Sequence, residues 1–565
     1  MAANFSVENF TVLADELVPA AGSSPDHPDG RFLTDWDRCM ATVGQFGGGV
    51  LFERTLDTPL LKAALAQALA SMPFLVGRLG FLEDGRLDIR CTNAGARFVA
   101  ASTSSTLQQL RQALAAAPYA RALANPWSAY WPPRGIDAVV QQQWPLVAGF
   151  VLHLSGGGTA LWLAAHHCVA DFESLQTLAA HWSAAYNAAL QARQASAALA
   201  PSAVPAPAPA AVPAPEGSGP AAAAGSGASG AEVVSYAAFL PEGRRAPAMG
   251  AAEVEALATQ GPPPPPGLPP RREMAEATAL SGLTLLWWAP AGSLGLPQPQ
   301  RYVMLHMVWR GGGVEARTAH VSAQRLAQLK AQASAELAQA PGGGCGVDGG
   351  SGPGDASGSR AERSSSAVEW VSTNDALVGR LLQVLHALPL RRATPVSCFV
   401  SADMRRRLAP PLPASRVGNL VYSVRLEGLR PGGMRLAELA AAVRHSLTHH
   451  VVPQFRGCLA RARGVIARVA PRGVLFSFCL EPAKEENIFA PEGPINLTRW
   501  DVDFGLWQFG GAAPLAFLPL AELGPCIVTL YPAAPGKGGL EVLLSMHRAA
   551  WRQLDAMCGD FSAAI

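Results

Sequence analysis

Apolar positions along the chain fall into two periods. Leu61, Leu65, Leu69 and Met72 recur at the spacing of one helix face, with Thr58 as the cap and Pro59 at the first helical position. Leu175, Leu178, Trp182 and Tyr186 mark a second helix that begins near Glu173, and Leu436, Leu439, Val443 and Leu447 mark a third. Ser372 and Asp375 have the spacing of a capping box ahead of Leu377, Leu381 and Leu385. Residues 159–165 form an unbroken apolar run, as in strands buried on both faces. Residues 396–402 read as another strand, and residues 526–531 and 540–546 as a closing strand pair. Strands and helices alternating in this way predict a layered α/β architecture with mixed sheets.

Two stretches carry no period. Residues 193–231 are dominated by Ala, Pro, Gly and Ser, and residues 332–365 include PGGGCGVDGGSGPGDASGSR. Neither holds enough apolar surface to offset the entropy of ordering it. The run Pro262 to Pro266 predicts a stiff polyproline II spacer. The chain therefore divides into an N-terminal domain (1–192), a crossover and low-complexity linker (193–300), and a C-terminal domain (301–565) with a disordered insertion at 332–365.

Composition narrows the classes of function. The 565 residues are 49% hydrophobic, enough for a large core, and their net charge of +2 is too small for a nucleic-acid footprint. Nine scattered cysteines include no C-x-x-C pair, which argues against a zinc site and for reduced thiols in a cytosol. MAANFSVENFTVLADELVPA carries three acids and no base, unlike a secretory or transit peptide, and the most apolar stretch, 279–292, is too short for a membrane span. A cytoplasmic protein with no membrane span is expected.

The candidate chemistry lies in WLAAHHCVADFES. His167 and Asp171 stand four apart, after a buried strand and before a helix, where a rigid element can hold side chains at a cleft. Histidine is the side chain best suited to take a proton near neutral pH, and a nearby Asp can hold the turn or orient the ring. Alone, the segment reads equally well as a core histidine beside a helix cap.

His166-His167-x-x-x-Asp171 resembles the HHxxxDG signature of the BAHD acyl-CoA-dependent acyltransferases. DVDFGLWQFG resembles that family's DFGWG motif through Asp503, Phe504 and Gly505. SADMRRRLAPPLPASRVGN resembles its D-x-R-x-R-x-x-P-P-L-P stretch, at Asp403, Arg405, Arg407, Pro410, Pro411, Leu412 and Pro413, closing on Gly418-Asn419. MPFLVGRL, CTNAGARFVAA, STNDALVGRLL and GGLEVLLSM are weaker echoes, and all occur in the family's order. The chain departs from the pattern at Phe172, where the family has Gly, and at Leu506 and Trp507 in the DFGWG positions. Phe172 is expected to narrow the cleft or alter the turn.

The resemblance implies two chloramphenicol acetyltransferase-like domains joined by a crossover, with a solvent channel between them. It implies transfer of an acyl group from acyl-CoA to the hydroxyl or amine of a small-molecule acceptor, as in secondary metabolism. His167 would be the general base, with no acyl-enzyme, no metal and no cofactor beyond acyl-CoA as co-substrate. Asp171 would be structural and pair with Arg405 or Arg407 across the domains. The alternatives for that basic run are a solvated face or contact with CoA phosphates. Asp503 would hold a turn, and Thr498 or a backbone N–H would meet the oxyanion, with Trp500 nearby. A monomer is expected. The competing readings are a non-catalytic family member acting as an accessory to fatty-acid elongation and, more remotely, a peptide condensation domain. His449 and His450 are expected to end a helix.

Overall fold

The computed structural model describes residues 10–22, 33–41, 44–115, 136–199, 314–339, 368–391, 397–468 and 494–565, with Trp127 and Tyr130, and excepting 84, 427–428, 430–432 and 521–525. The polyproline run, the apolar stretch 279–292, most of the linker and the body of the Gly-rich insertion lie outside the described residues. In chain order the strands are β1 (Phe10–Val18), β2 (Gln45–Phe52), β3 (Arg78–Phe81), β4 (Leu87–Arg90), β5 (Ala96–Thr106), β6 (Val147–Ser155), β7 (Thr159–His166), β8 (Val314–Val321), β9 (Cys398–Asp403), β10 (Val421–Arg425), β11 (Ile495–Arg499), β12 (Ala516–Leu520), β13 (Cys526–Pro532) and β14 (Leu540–His547). They form two six-stranded sheets, ordered β1-β5-β6-β7-β2-β12 and β10-β9-β11-β13-β14-β8, and a small β3-β4 ribbon. Both large sheets mix parallel and antiparallel pairs, as expected from the sequence.

The run 159–165 is continuous because β7 is buried on both faces. Leu161, Leu163 and Ala165 join one core, while Ala160, Trp162 and Ala164 join another on the reverse face. The first core takes in Leu61, Leu65 and Leu69 of α1 (Thr58–Ala70) and Leu175, Leu178 and Trp182 of α2 (Phe172–Leu199). Trp182 Nε1 donates to Leu61 O at 2.8 Å and ties the two helices. Asp57, not Thr58, caps α1: its carboxylate accepts from the Leu60 N–H at 2.9 Å, and Thr58 is already helical.

The second sheet packs against α3 (Ala323–Ala338), α4 (Thr373–His386) and α5 (Leu436–His445) around a separate core. The Ser372–Asp375 capping box is present, and β13 and β14 pair antiparallel from Cys526↔Met546 to Pro532↔Leu540.

Three boundaries differ from expectation. Helix α2 runs through 193–199, and α3 runs through 332–338, so both low-complexity stretches begin inside helices. Alanine, the best helix former, carries the helix past the last apolar repeat. His449 and His450 do not end a helix. Ser446–His450 makes a wider π-helical turn and the chain continues as α6 (Val451–Arg468).

The halves of the chain are interleaved. β12, drawn from the C-terminal half, pairs antiparallel with β2 at the edge of the first sheet, from Ala516↔Leu51 to Leu520↔Gly47. Among the described residues no helix is long and apolar enough to cross a membrane.

Candidate active site

His167 is the first residue after β7. Its N–H donates to Gly44 O at 2.7 Å, and its carbonyl accepts from Asn419 Nδ2 at 2.9 Å, so its backbone is held by elements of both halves. The ring packs on Phe46 of β2, centroids 4.5 Å apart. The residue is half-buried; Nδ1 is buried with no hydrogen-bond partner among the described residues, and the ring lies against the residue's own main chain. Burial pushes the imidazole pKa below its usual value, partly offset by that main-chain contact and by the Asp171 charge. The ring is therefore neutral near pH 7 and able to accept a proton. Its neighbour His166 is fully enclosed, its Nδ1 lies 3.0 Å from Cys168 Sγ, and burial followed by the His167 charge brings its pKa to about 4. The Cys168 thiol is pushed well up by burial, which makes it a poor nucleophile.

Asp171 faces the seam. Its carboxylate accepts from Arg405 NH1 at 2.8 Å and NH2 at 3.0 Å, from Leu420 N at 2.8 Å, and from Ser174 N at 3.0 Å and Oγ at 2.7 Å. Burial alone would raise its pKa, but the guanidinium charge and these donors hold it below the ordinary carboxylate value. Arg405 is fully buried; Nε donates to Arg416 O at 3.0 Å and NH2 to Gly418 O at 3.1 Å. The Gly418 N–H donates to Ser174 Oγ at 3.0 Å, with φ at +140°, a region that favours glycine. Arg407 is not part of this pair: its NH1 donates to Leu447 O at 2.6 Å, inside the π turn.

Asp503 closes a turn through Oδ1, which accepts from Gly505 N at 2.8 Å, and Phe504 lies in the single helical turn that follows. One face of α2 is stitched to this turn. Gln176 Oε1 accepts from Asp503 N at 2.7 Å, Ser183 Oγ donates to Leu506 O at 2.8 Å, and Asn187 Nδ2 donates to Gln508 O at 2.8 Å. Thr498 is half-buried on β11, opposite Thr529. Trp500 is buried and stacks on Phe172, centroids 4.8 Å apart and planes 5° from parallel. Phe172 thus opens α2 without breaking it, with one face of its ring laid on Trp500.

Gln176, Ser183, Asn187 and Ser174 carry no signal in the sequence pattern, whereas Asn419 closes the motif stretch but without any hint of its partner. They are ordinary polar residues whose partners lie more than two hundred residues away or across a helix face. Beyond α3, an open hollow of about 620 Å³ is rimmed by Lys330, Ser334, Thr373 and Arg499. Among the described residues no group of three or more His, Cys, Asp or Glu is placed to hold a metal.

Residues 50–217, which include His167 and Asp171, match the model of the Transferase family. A hydroxycinnamoyltransferase of Narcissus pseudonarcissus is 33% identical over 115 residues, 20% of this chain and 24% of that protein. A hydroxycinnamoyl-CoA:5-hydroxyanthranilate N-hydroxycinnamoyltransferase of Avena sativa is 27% identical over 171 residues, 27% of this chain and 34% of that protein. The matched stretches thus span a quarter to a third of the relatives' length. Among solved structures, vinorine synthase superposes with a TM-score of 0.56 at 15% identity, covering 96% of each chain. TRI101 of F. sporotrichioides, solved with coenzyme A and T-2, superposes at 0.53 and 13% identity over 94% of this chain and 97% of that one. The two-domain α/β fold expected from the motifs is therefore the fold of this chain, and its resemblance to the BAHD acyltransferases is borne out.

Proposed function

We propose, from this kinship with the BAHD acyltransferases, that the chain transfers an acyl group from acyl-CoA to the hydroxyl or amine of a small-molecule acceptor. The observation that carries the reading is the placing of His167: a half-buried imidazole at the end of β7 whose backbone is clamped from both halves of the chain. With Nδ1 buried, the scheme uses Nε2 as the basic nitrogen.

An alcohol is a weak nucleophile at neutral pH. His167 accepts its proton as the oxygen attacks the thioester carbonyl, and the resulting imidazolium returns the proton to the departing CoA thiolate. The tetrahedral oxyanion needs a donor, for which Thr498 or a main-chain N–H serves, with Trp500 close by. No acyl-enzyme and no metal enter this scheme. Asp171 and Arg405 keep the seam closed rather than touching substrate, and Arg407, Asp503, Phe504 and Gly505 are structural. On this reading residues 1–192 and 301–565 supply most of the two lobes of a cytoplasmic monomer, with β12 of the second range completing the first sheet.

The test is thiol release from a panel of acyl-CoAs with pooled alcohols and amines. Wild-type protein should turn over, and His167→Ala should lose about 10²–10⁴-fold. Equal turnover in the two proteins would reject the base assignment; no turnover with any pair would favour the accessory reading.

A further inference from the structure

Phe172, Trp500 and Phe517 form an aromatic corner beside His167. Phe172 lies flat on Trp500, and Phe517 stands edge-on to both, at 5.8 Å and 88° to Phe172 and at 6.0 Å and 89° to Trp500. The corner rests on bare backbone: a Cβ at Gly48 would come within 2.4 Å of Phe517 and 3.5 Å of Phe172. Two residues earlier on the same face of β2, Phe46 carries the His167 ring. Alternate residues of a strand are roughly 7 Å apart, so the corner begins about one pleat from the imidazole.

The three rings are not equally enclosed. Trp500 is 7% exposed and Phe517 4%, whereas Phe172 is only partly buried. The residue backed by Trp500 is thus the one of the three that keeps some contact with solvent.

We propose that Phe172, backed by Trp500 and Phe517, is a stacking platform that receives a planar aromatic group of the substrate next to His167. This rests on the acyl-transfer reading above. The aromatic group can come from the acyl chain or from the acceptor, and matched ligand pairs distinguish the two. An offset or edge-on aromatic contact adds a few-fold to about tenfold in affinity beyond its area. A saturated ring of the same size gains only from burial.

The experiment compares wild type, Phe172→Leu and Phe172→Tyr. Binding is read by calorimetry with benzoyl-CoA against cyclohexanecarbonyl-CoA, and kcat/KM with benzyl alcohol against cyclohexylmethanol as acceptors. Phe172→Leu should weaken the aromatic member of one pair about three- to tenfold and leave its saturated partner within twofold, while Phe172→Tyr behaves as wild type. The donor pair responding points to the acyl group, and the acceptor pair to the acceptor. Equal losses for aromatic and saturated ligands, no loss for either, or a Phe172→Tyr as impaired as Phe172→Leu would overturn the platform. Because calorimetry reads binding without turnover, a wild type that binds benzoyl-CoA but transfers nothing would sink the acyl-transfer reading while leaving the platform judged on its own data. Thermal melting of both variants checks that each is folded.

Discussion

Arg405 grips Asp171 with both of its terminal nitrogens, at 2.8 and 3.0 Å, across 234 positions of sequence. Both side chains are almost wholly out of water, and both find further partners, so neither charge is left bare. The pair fastens the segment that carries His167 to the loop that ends at Asn419.

Breaking that pair from one side strands a buried charge. Arg405→Met should lower stability by about 3–5 kcal/mol. Arg407→Met, which gives up a single bond to Leu447 O, should cost about 1 kcal/mol. Adding Asp171→Asn to Arg405→Met should recover part of the loss, since the double variant leaves no buried orphan ion; Asp403, which also meets Arg405 NH1 at 3.0 Å, is exposed enough to be solvated. Urea denaturation measures all three, and equal losses for Arg405→Met and Arg407→Met would contradict the assignment of the partner.

Asn419 acts on His167 through its carbonyl, not through the ring. If the imidazole must stand at a fixed point, Asn419→Ala should lower kcat about tenfold, the worth of one hydrogen bond of about 1.4 kcal/mol, with little change in KM. The acid limb of the pH–rate profile should keep its midpoint, because the ring's surroundings are unchanged. A KM that rises while kcat stays constant would assign Asn419 to substrate binding instead.

Acid should destabilise the fold through its enclosed histidines. Burial, then the His167 charge for His166 and the Arg391 charge for His386, brings both pKa values to about 4, against 6.5 in the unfolded chain. Between those values the unfolded chain binds protons that the folded chain refuses, so stability falls as pH drops from 6.5 to 4, by about 1.4 kcal/mol per pH unit for each. Asp37 works the other way: burial, only partly offset by its bonds with Thr34, raises its pKa from 3.8 to about 7. It takes up a proton on folding in that window and so gains stability as pH falls. His386→Gln should therefore flatten the stability-against-pH curve below 6.5, and Asp37→Asn should steepen it. Chemical denaturation at pH 7, 6 and 5 reads both slopes, and parallel curves for the two variants would refute the account.

The fold was legible because its signals are local. Apolar repeats mark α1, α2, α4 and α5, and the unbroken run 159–165 marks a strand enclosed on both faces. His167 and Asp171 were legible because strand, pair and helix follow one another within a dozen residues. The rest depends on distance. Arg405 and Arg407 are indistinguishable in the run RRR, and only the folded chain shows that Arg405 meets Asp171 while Arg407 reaches Leu447 O. Ser174, Gln176 and Asn419 gain meaning from partners that chain order does not bring near. AFLPL holds too few residues to announce a strand, still less one that pairs with residues 47–51.

That short strand has a consequence for how the molecule is made. On the ribosome, the first sheet lacks its sixth member until residue 520 has left the exit tunnel, more than three hundred residues after β7. Until then the glycine-rich flank of β2 offers open main-chain groups to any extended peptide in reach. An N-terminal fragment expressed alone should therefore tend to self-associate through this flank, and supplying residues 494–565 as a second fragment should suppress it.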